Sequence, residues 1–482
     1  MALDAPETPL HLVPMEEQVA RFCGDCHAVP PVDSFPKHAW RDEVGLGYTL
    51  YLESGRDDLA IPPFERMVDH YVLRAPEELV LPEPEEAPGP GPIRFERSEL
   101  GYPQPDPVFL GVSTMHWVPP HEVGGPRLLF CDGMTGDVGD VAFRGRTATM
   151  SLFGTVASPA HITPSDLDGD GVLDFLIADL GSFRPEDHDL GKVLWMLARA
   201  GSPPPVHVLD AQLGRVADVE PGDFDEDGDI DLVVAEFGWR STGRLLMLEQ
   251  VDSPGARRDF RRRVLDDRHG TIHTPVTDLN QDGHLDFVAL FAQEFEMIVA
   301  FIGRGDGTFE QHLVFAAGDP SVGSSGIQLV DLDDDGDLDV LYTCGDTLDG
   351  LYVKPTHGIR WLENRGSFPF VPHFLTTLPG AMRALAADLD GDRDLDIVAC
   401  AFLPTRLLKS GYQSEYDNVI WLEQVSPGTF VRRRIERSER GSMAMEVGDF
   451  DGDGRPDLVV GSFAPGNQAA RSWLRFFWND SR

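Results

Sequence analysis

The stretch Asp166-Leu167-Asp168-Gly169-Asp170-Gly171-Val172-Leu173-Asp174 runs directly into the apolar segment Phe175-Leu176-Ile177-Ala178. Carboxylates at alternating positions crowd like charges together, which is unfavourable unless a cation sits among them. Oxygen ligands at that spacing, with glycine at the sixth position for a sharp turn, suit calcium. The loop is not an EF-hand. Its ninth position is Asp, no Glu follows at the twelfth, and a strand-like run replaces the exiting helix.

Five more stretches repeat the pattern, and the candidate ligands follow position by position. They are Asp166, Asp168, Asp170 and Asp174; Asp223, Asp225, Asp227 and Asp231; Asp278, Asn280, Asp282 and Asp286; Asp331, Asp333, Asp335 and Asp339; Asp388, Asp390, Asp392 and Asp396; Asp449, Asp451, Asp453 and Asp457. About six calcium ions are expected, the alternative being solvated acidic turns without metal. In the fifth loop Arg393 replaces the glycine and sets a positive charge beside Asp392, so that site reads as weak or empty.

The loops begin at 166, 223, 278, 331, 388 and 449. Such a long, steady period, filled with short strands and turns, predicts one supersecondary unit per repeat, as in propeller blades. One period before Asp166, Val112 to Val118 and Arg127 to Asp132 mimic the unit without its loop, which makes seven blades. The last repeat ends after three strands, near Trp478. Phe95-Glu-Arg-Ser-Glu-Leu-Gly101 matches Ile435-Glu-Arg-Ser-Glu-Arg-Gly441 in the preceding blade. Residues 93–101 are therefore predicted to supply the missing outer strand, closing the ring and removing a sheet edge.

With these loops and the Trp-Leu-Glu runs at Trp361 and Trp421, residues 93–482 resemble the FG-GAP/VCBS-repeat β-propellers. The resemblance implies a mainly β, seven-bladed, calcium-binding propeller. It leaves function open, because such rings serve adhesion, ligand binding and enzyme scaffolding alike.

The 482 residues carry 81 acids against 40 Lys and Arg, a formal charge of −41. A field this acidic argues against nucleic acid and anionic membrane as partners. No apolar run is long enough for a membrane helix, and Met1-Ala-Leu-Asp-Ala-Pro-Glu has no apolar leader core. Cys131, Cys344 and Cys400 fall in apolar strand contexts and read as buried free thiols.

Ahead of the propeller, Cys23-Gly24-Asp25-Cys26-His27 fits C-x-x-C-H, the attachment signature of c-type haem. The thiols would bond the haem covalently and His27 would supply the proximal iron ligand. A redox pair would need a βαβ pattern, and a zinc site would need more Cys or His at short spacing. Glu16 to Cys23 and Phe64 to Leu73 read as helices. Residues 1–80 are thus expected to form a small α-helical unit, resembling the cytochrome c domains fused to such propellers, and 81–92 a Pro-rich linker. Met67 is the expected sixth ligand, with core packing, His38, His70 or a five-coordinate iron left open.

Counting five residues before and after each loop places one face of the first two strands at the tunnel mouth. His161, Asp179, Asp218, Glu236, His273 and Arg383 fall there. Such a cluster could hold a transition metal or act as acid and base, the alternative being a polar, water-filled lining. The expected function is a periplasmic or extracellular electron-transfer protein with one covalent haem c. Its propeller would dock a redox partner protein or membrane-associated electron-transfer complex, and the linker could let the haem unit swing. The alternatives are a haem-coupled oxidoreductase acting at the mouth, and an adhesion or ligand-binding propeller.

Overall fold

The computed structural model describes residues 13–83, 91–103, 109–122, 125–197, 204–251, 258–348, 352–404, 406–407, 416–438, 441–464 and 472–480. Most of the predicted linker lies outside them. Seven antiparallel sheets are present among the described residues. The chain is a mainly β, seven-bladed propeller.

In blade two the strands run Pro159–Ser165, Asp174–Asp179, Gly191–Met196 and Val206–Leu213, paired in sequence order. The second strand is buried along its whole length, because it has a blade on either side. The fourth is largely exposed, as an outer strand must be. Blades three to six repeat this order with first strands Val216–Gly222, Thr271–His273 with Val276–Thr277, Ser324–Val330 and Ala381–Ala387. Blade one starts at Leu110–Val118 and blade seven at Met445–Gly448. The first strands of neighbouring blades face one another around the central tunnel.

Phe95–Gly101 pairs with Ser472–Asn479 and takes the outer position of blade seven. The ring is therefore closed by the two ends of the repeat region. A second tie crosses the seam, where Trp473 donates its indole N–H to Asp132 of blade one at 2.9 Å. The core is a set of layers between blades. Between blades one and two it contains Val118, Leu129, Cys131, Ile162, Phe175, Ile177 and Leu194. Cys131, Cys344 and Cys400 are free and buried.

Three helices precede the ring: α1 Met15–Phe22, α2 Trp40–Glu53 and α3 Phe64–Val72. The sequence pattern indicates α1 and α3 but not α2, whose Gly45, Gly47 and Thr49 weaken helix propensity. Packing compensates for that weakness. Trp40 of α2 stacks on Tyr71 of α3 with centroids 3.9 Å apart, over a core of Val19, Phe22, Val44 and Val68.

The helical unit sits against the propeller. Ser34 donates to Asp319 at 2.7 Å, and Phe35 meets Tyr352 edge-on at 6.0 Å. Tyr352 also pairs with His38 Nε2 at 3.3 Å, while the Lys354 ammonium lies 4.3 Å from the Phe35 ring centre. These contacts seat the unit on the ring.

Candidate functional site

All six loops fold alike. The first Asp accepts the backbone N–H of the sixth residue, at 2.9 Å for Gly171 and 3.1 Å for Arg393. In at least four loops the first three carboxylates bring an oxygen each within 4.8 Å of one another: 166/168/170, 223/225/227, 331/333/335 and 388/390/392. Asp223 Oδ1 and Asp333 Oδ1 are buried with no hydrogen-bond partner. Converging, partly orphaned carboxylate oxygens fit a hard cation such as calcium.

The ninth-position carboxylates behave differently. They turn inward and tie the loop to the third strand. Asp286 accepts from Leu279 N, Asn280 N and Gly303 N, and Asp457 accepts from Phe450 N and Asn479 N. Loop six also carries its own countercharges, since Arg146 bonds Asp451 at 2.9 Å and Arg455 pairs with Asp453.

Inside the tunnel mouth, His161 Nδ1 lies 2.6 Å from Asp218 Oδ1 and 3.8 Å from Glu220 Oε1. Asp218 also accepts from Thr274 N at 2.8 Å and stands 4.0 Å from His273 Nδ1. Burial opposes the charge of Asp218, yet the charge and hydrogen bond of His161 hold its carboxyl down at about 2. The same pairing raises His161 against its own burial. Glu220 is pushed up to about 8 by burial and by the Asp218 charge, and burial also raises Glu446. His116 and His273 are driven down to about 4, first by burial and then by neighbouring cations, among them Arg383. The group is thus a hydrogen-bonded Asp–His pair, flanked by imidazoles whose charged form burial disfavours and by acids whose protonated form it favours.

His161, Asp218, His273 and Arg383 come together as the spacing predicts, on first strands. Asp179 and Glu236 do not join them. Each is buried on a second strand and braces a neighbouring turn: Asp179 accepts from Ser158 N and Gly181 N, and Glu236 from Gly214 N and Arg244 Nε. Glu220 and Glu446 lie two residues beyond the counted positions and share their face through the strand's period of two. His116 lies on blade one, which has no Asp loop to count from. A period-two extension of the count would find the two glutamates.

Above this floor is a cavity of about 570 Å³. Phe35, Glu43 and Leu46 of the helical unit roof it, and His161, His273 and Arg383 line it below.

In the Cys23–His27 turn, Cys23 is half-buried and Cys26 exposed. His27 Nδ1 lies 2.7 Å from the Ala28 carbonyl. A donor Nδ1 in that contact leaves Nε2 as the metal-binding nitrogen, the usual way a ligating histidine is oriented. The turn fits covalent haem on this point. Met67 is completely buried, its sulfur 4.0 Å from Cys23 Sγ, and packs as core. His38 faces Tyr352 and His70 faces Arg74.

Residues 278–342 match the FG-GAP-like repeat and residues 443–472 the FG-GAP repeat. The chain carries FG-GAP repeats. The first match runs from the third Asp loop to the second strand of blade five, so it includes two loops of this FG-GAP array. The second covers the loop of blade seven. No curated protein matches the chain in sequence. Among solved structures, a catalytically inactive virginiamycin B lyase from Staphylococcus aureus, determined with quinupristin, is similar at 11% identity. The likeness covers 80% of this chain and 99% of that one, with a TM-score of 0.47. A putative 6-phosphogluconolactonase from Bacteroides uniformis is similar at 14% identity over 67% of this chain and 85% of its own, TM-score 0.42. Both likenesses are distant, and neither bears on what the FG-GAP propeller binds.

Proposed function

We propose that this protein is a c-type haem electron carrier of the periplasm or extracellular space. In this reading its calcium-stiffened propeller carries the haem unit and docks a redox partner protein or membrane-associated electron-transfer complex. The observation that carries it is the Cys23–His27 turn, where two thiols flank one turn of chain and Ala28 orients the imidazole. Haem c, when bound, supplies a one-electron couple. Cys23 and Cys26 anchor it as thioethers, and His27 binds through Nε2. Glu294, paired with His269 at 3.0 Å, keeps a carboxylate within electrostatic reach of His27. Calcium fits loops one, two and four best, where three carboxylates converge, because Arg393 adds a positive charge to loop five and Arg146 and Arg455 pair with acids of loop six.

The test is a reduced-minus-oxidised visible spectrum with metal quantification, on protein from a host that attaches c-haem. The reading expects one covalent haem, calcium at four to six per chain and no other transition metal. Absence of haem would overturn it and leave a calcium-loaded binding propeller. A second reading, a haem-coupled oxidoreductase acting at the mouth, draws on the roofed cavity over His161, Asp218 and Glu220. Stoichiometric copper, zinc or non-haem iron would favour it.

A further inference from the structure

We propose that the cavity between the helical unit and the propeller mouth binds a small amphipathic monocarboxylate, its carboxylate paired with Arg383 and its apolar body against Met115, Phe183, Met382 and Phe463. This goes beyond the electron-carrier reading and does not depend on haem.

Arg383 stands on the first strand of blade six and lines the cavity floor. A guanidinium offers five N–H donors and cannot shed its charge. The side chain of Arg383 makes no hydrogen bond or ion pair with any other described residue. A half-buried guanidinium with no protein acceptor is open to an anionic one.

The other cations at the cavity are engaged. Arg215 packs on Phe237 at 5.0 Å and reaches the Phe183 carbonyl, while Lys354 donates to the Ser321 carbonyl beside Phe35. No floor acid among the described residues forms an ion pair with Arg383. Asp218 is committed to His161 and Thr274, and Glu220 takes Thr163 as donor at 3.5 Å. Arg383 therefore brings an unpaired positive charge to the cavity floor.

That charge selects an anion, and a planar guanidinium matches a carboxylate through two parallel hydrogen bonds. The walls decide what the anion carries. Met115, Leu180, Phe183, Phe237, Met382 and Phe463 are apolar, and about 570 Å³ is within the range of small-molecule sites. An inorganic anion would leave those walls without a partner. A short-chain or aromatic monocarboxylate satisfies both ends.

The test is calorimetric titration of the full chain with hexanoate and benzoate, against hexanamide, benzamide and acetate. The two apolar acids are expected to bind at least about tenfold more tightly than their amides and than acetate. R383Q should lose at least about tenfold of the hexanoate affinity with its melting curve intact, and R383K should retain part of it. Equal binding of acid and amide, unchanged affinity in R383Q, or no binding of either acid at millimolar concentration would overturn the proposal. Should R383Q fail to fold, the acid-against-amide comparison on the unsubstituted chain decides alone. The visible spectrum reports on haem separately, so a haem-free chain that binds hexanoate sinks the electron carrier and keeps this site.

Discussion

Arg393 takes φ +84° at the sixth position of its loop, where the other five loops have glycine at +83° to +97°. A side chain in that region costs about 1 kcal/mol or more, which glycine avoids. The fourth positions also turn left-handed, but Glu226, Gln281 and Asp334 sit at +58° to +61°, where the strain is smaller. Arg393→Gly should therefore raise stability by about 1 kcal/mol in urea unfolding, and isothermal titration should show tighter calcium binding once the cation is gone. Asp286 is the opposite case. It is completely buried and accepts three backbone N–H groups. Asp286→Ala strands those donors and should cost about 2–4 kcal/mol, read from the denaturant midpoint at neutral pH; a change below about 0.5 kcal/mol would contradict the inward, load-sharing role of the ninth position.

At the scale of the Asp loop, a cation among the first three carboxylates and a proton on the inward ninth one oppose each other electrostatically. Burial, helped by neighbouring acids, lifts Asp231, Asp396 and Asp457 to about 7 and Asp339 to about 6. The sign follows from linkage. Each group holds its proton more tightly when folded than when unfolded, so its stabilising contribution is complete at low pH and is lost as pH rises through 6 to 7. Calcium reverses this by supplying the missing positive charge. In EDTA the melting temperature should fall between pH 5 and pH 8, and added calcium should restore more of it at pH 8 than at pH 5. A melting temperature at pH 8 that ignores EDTA would rule out bound cations in these loops. The loops and their apolar strands were legible because each feature is local: turn glycines, alternating acids and a short buried run all lie within about a dozen residues. The Glu-Arg-Ser recurrence at 96–98 and 436–438 was legible for the same reason, both copies lying on outer strands.

At the scale of the whole molecule, the helical unit roofs the mouth through few side chains, and Tyr352 is the shared one. Removing its ring takes away the edge contact to Phe35 and the hydrogen bond to His38. Tyr352→Ala should speed amide hydrogen exchange over residues 34–40 by about tenfold while blade amides keep their protection. Exchange unchanged over 34–40 would mean that other contacts hold the roof. Carboxylate binding in the cavity should weaken in the same variant, since Phe35 and Leu46 would no longer close it.

Sequence by itself determined the ring. A repeat that buries its second strand on both faces must stack against copies of itself, and seven copies with joined ends leave no exposed edge. It also marked the Cys23–His27 turn, because that chemistry needs neighbouring residues only. Tertiary structure decided the rest. Asp179 and Glu236 differ from Asp218 only in which strand carries them, and the blade geometry turns the first two into turn braces and the third into the tunnel. Arg146 reaches Asp451 across 305 residues, and Tyr352 meets Phe35 across the gap between two folding units. Charges that are far apart in the chain acquire partners only when folding sets their distances, which is why Arg383 could be named from the spacing but not known to lack a partner.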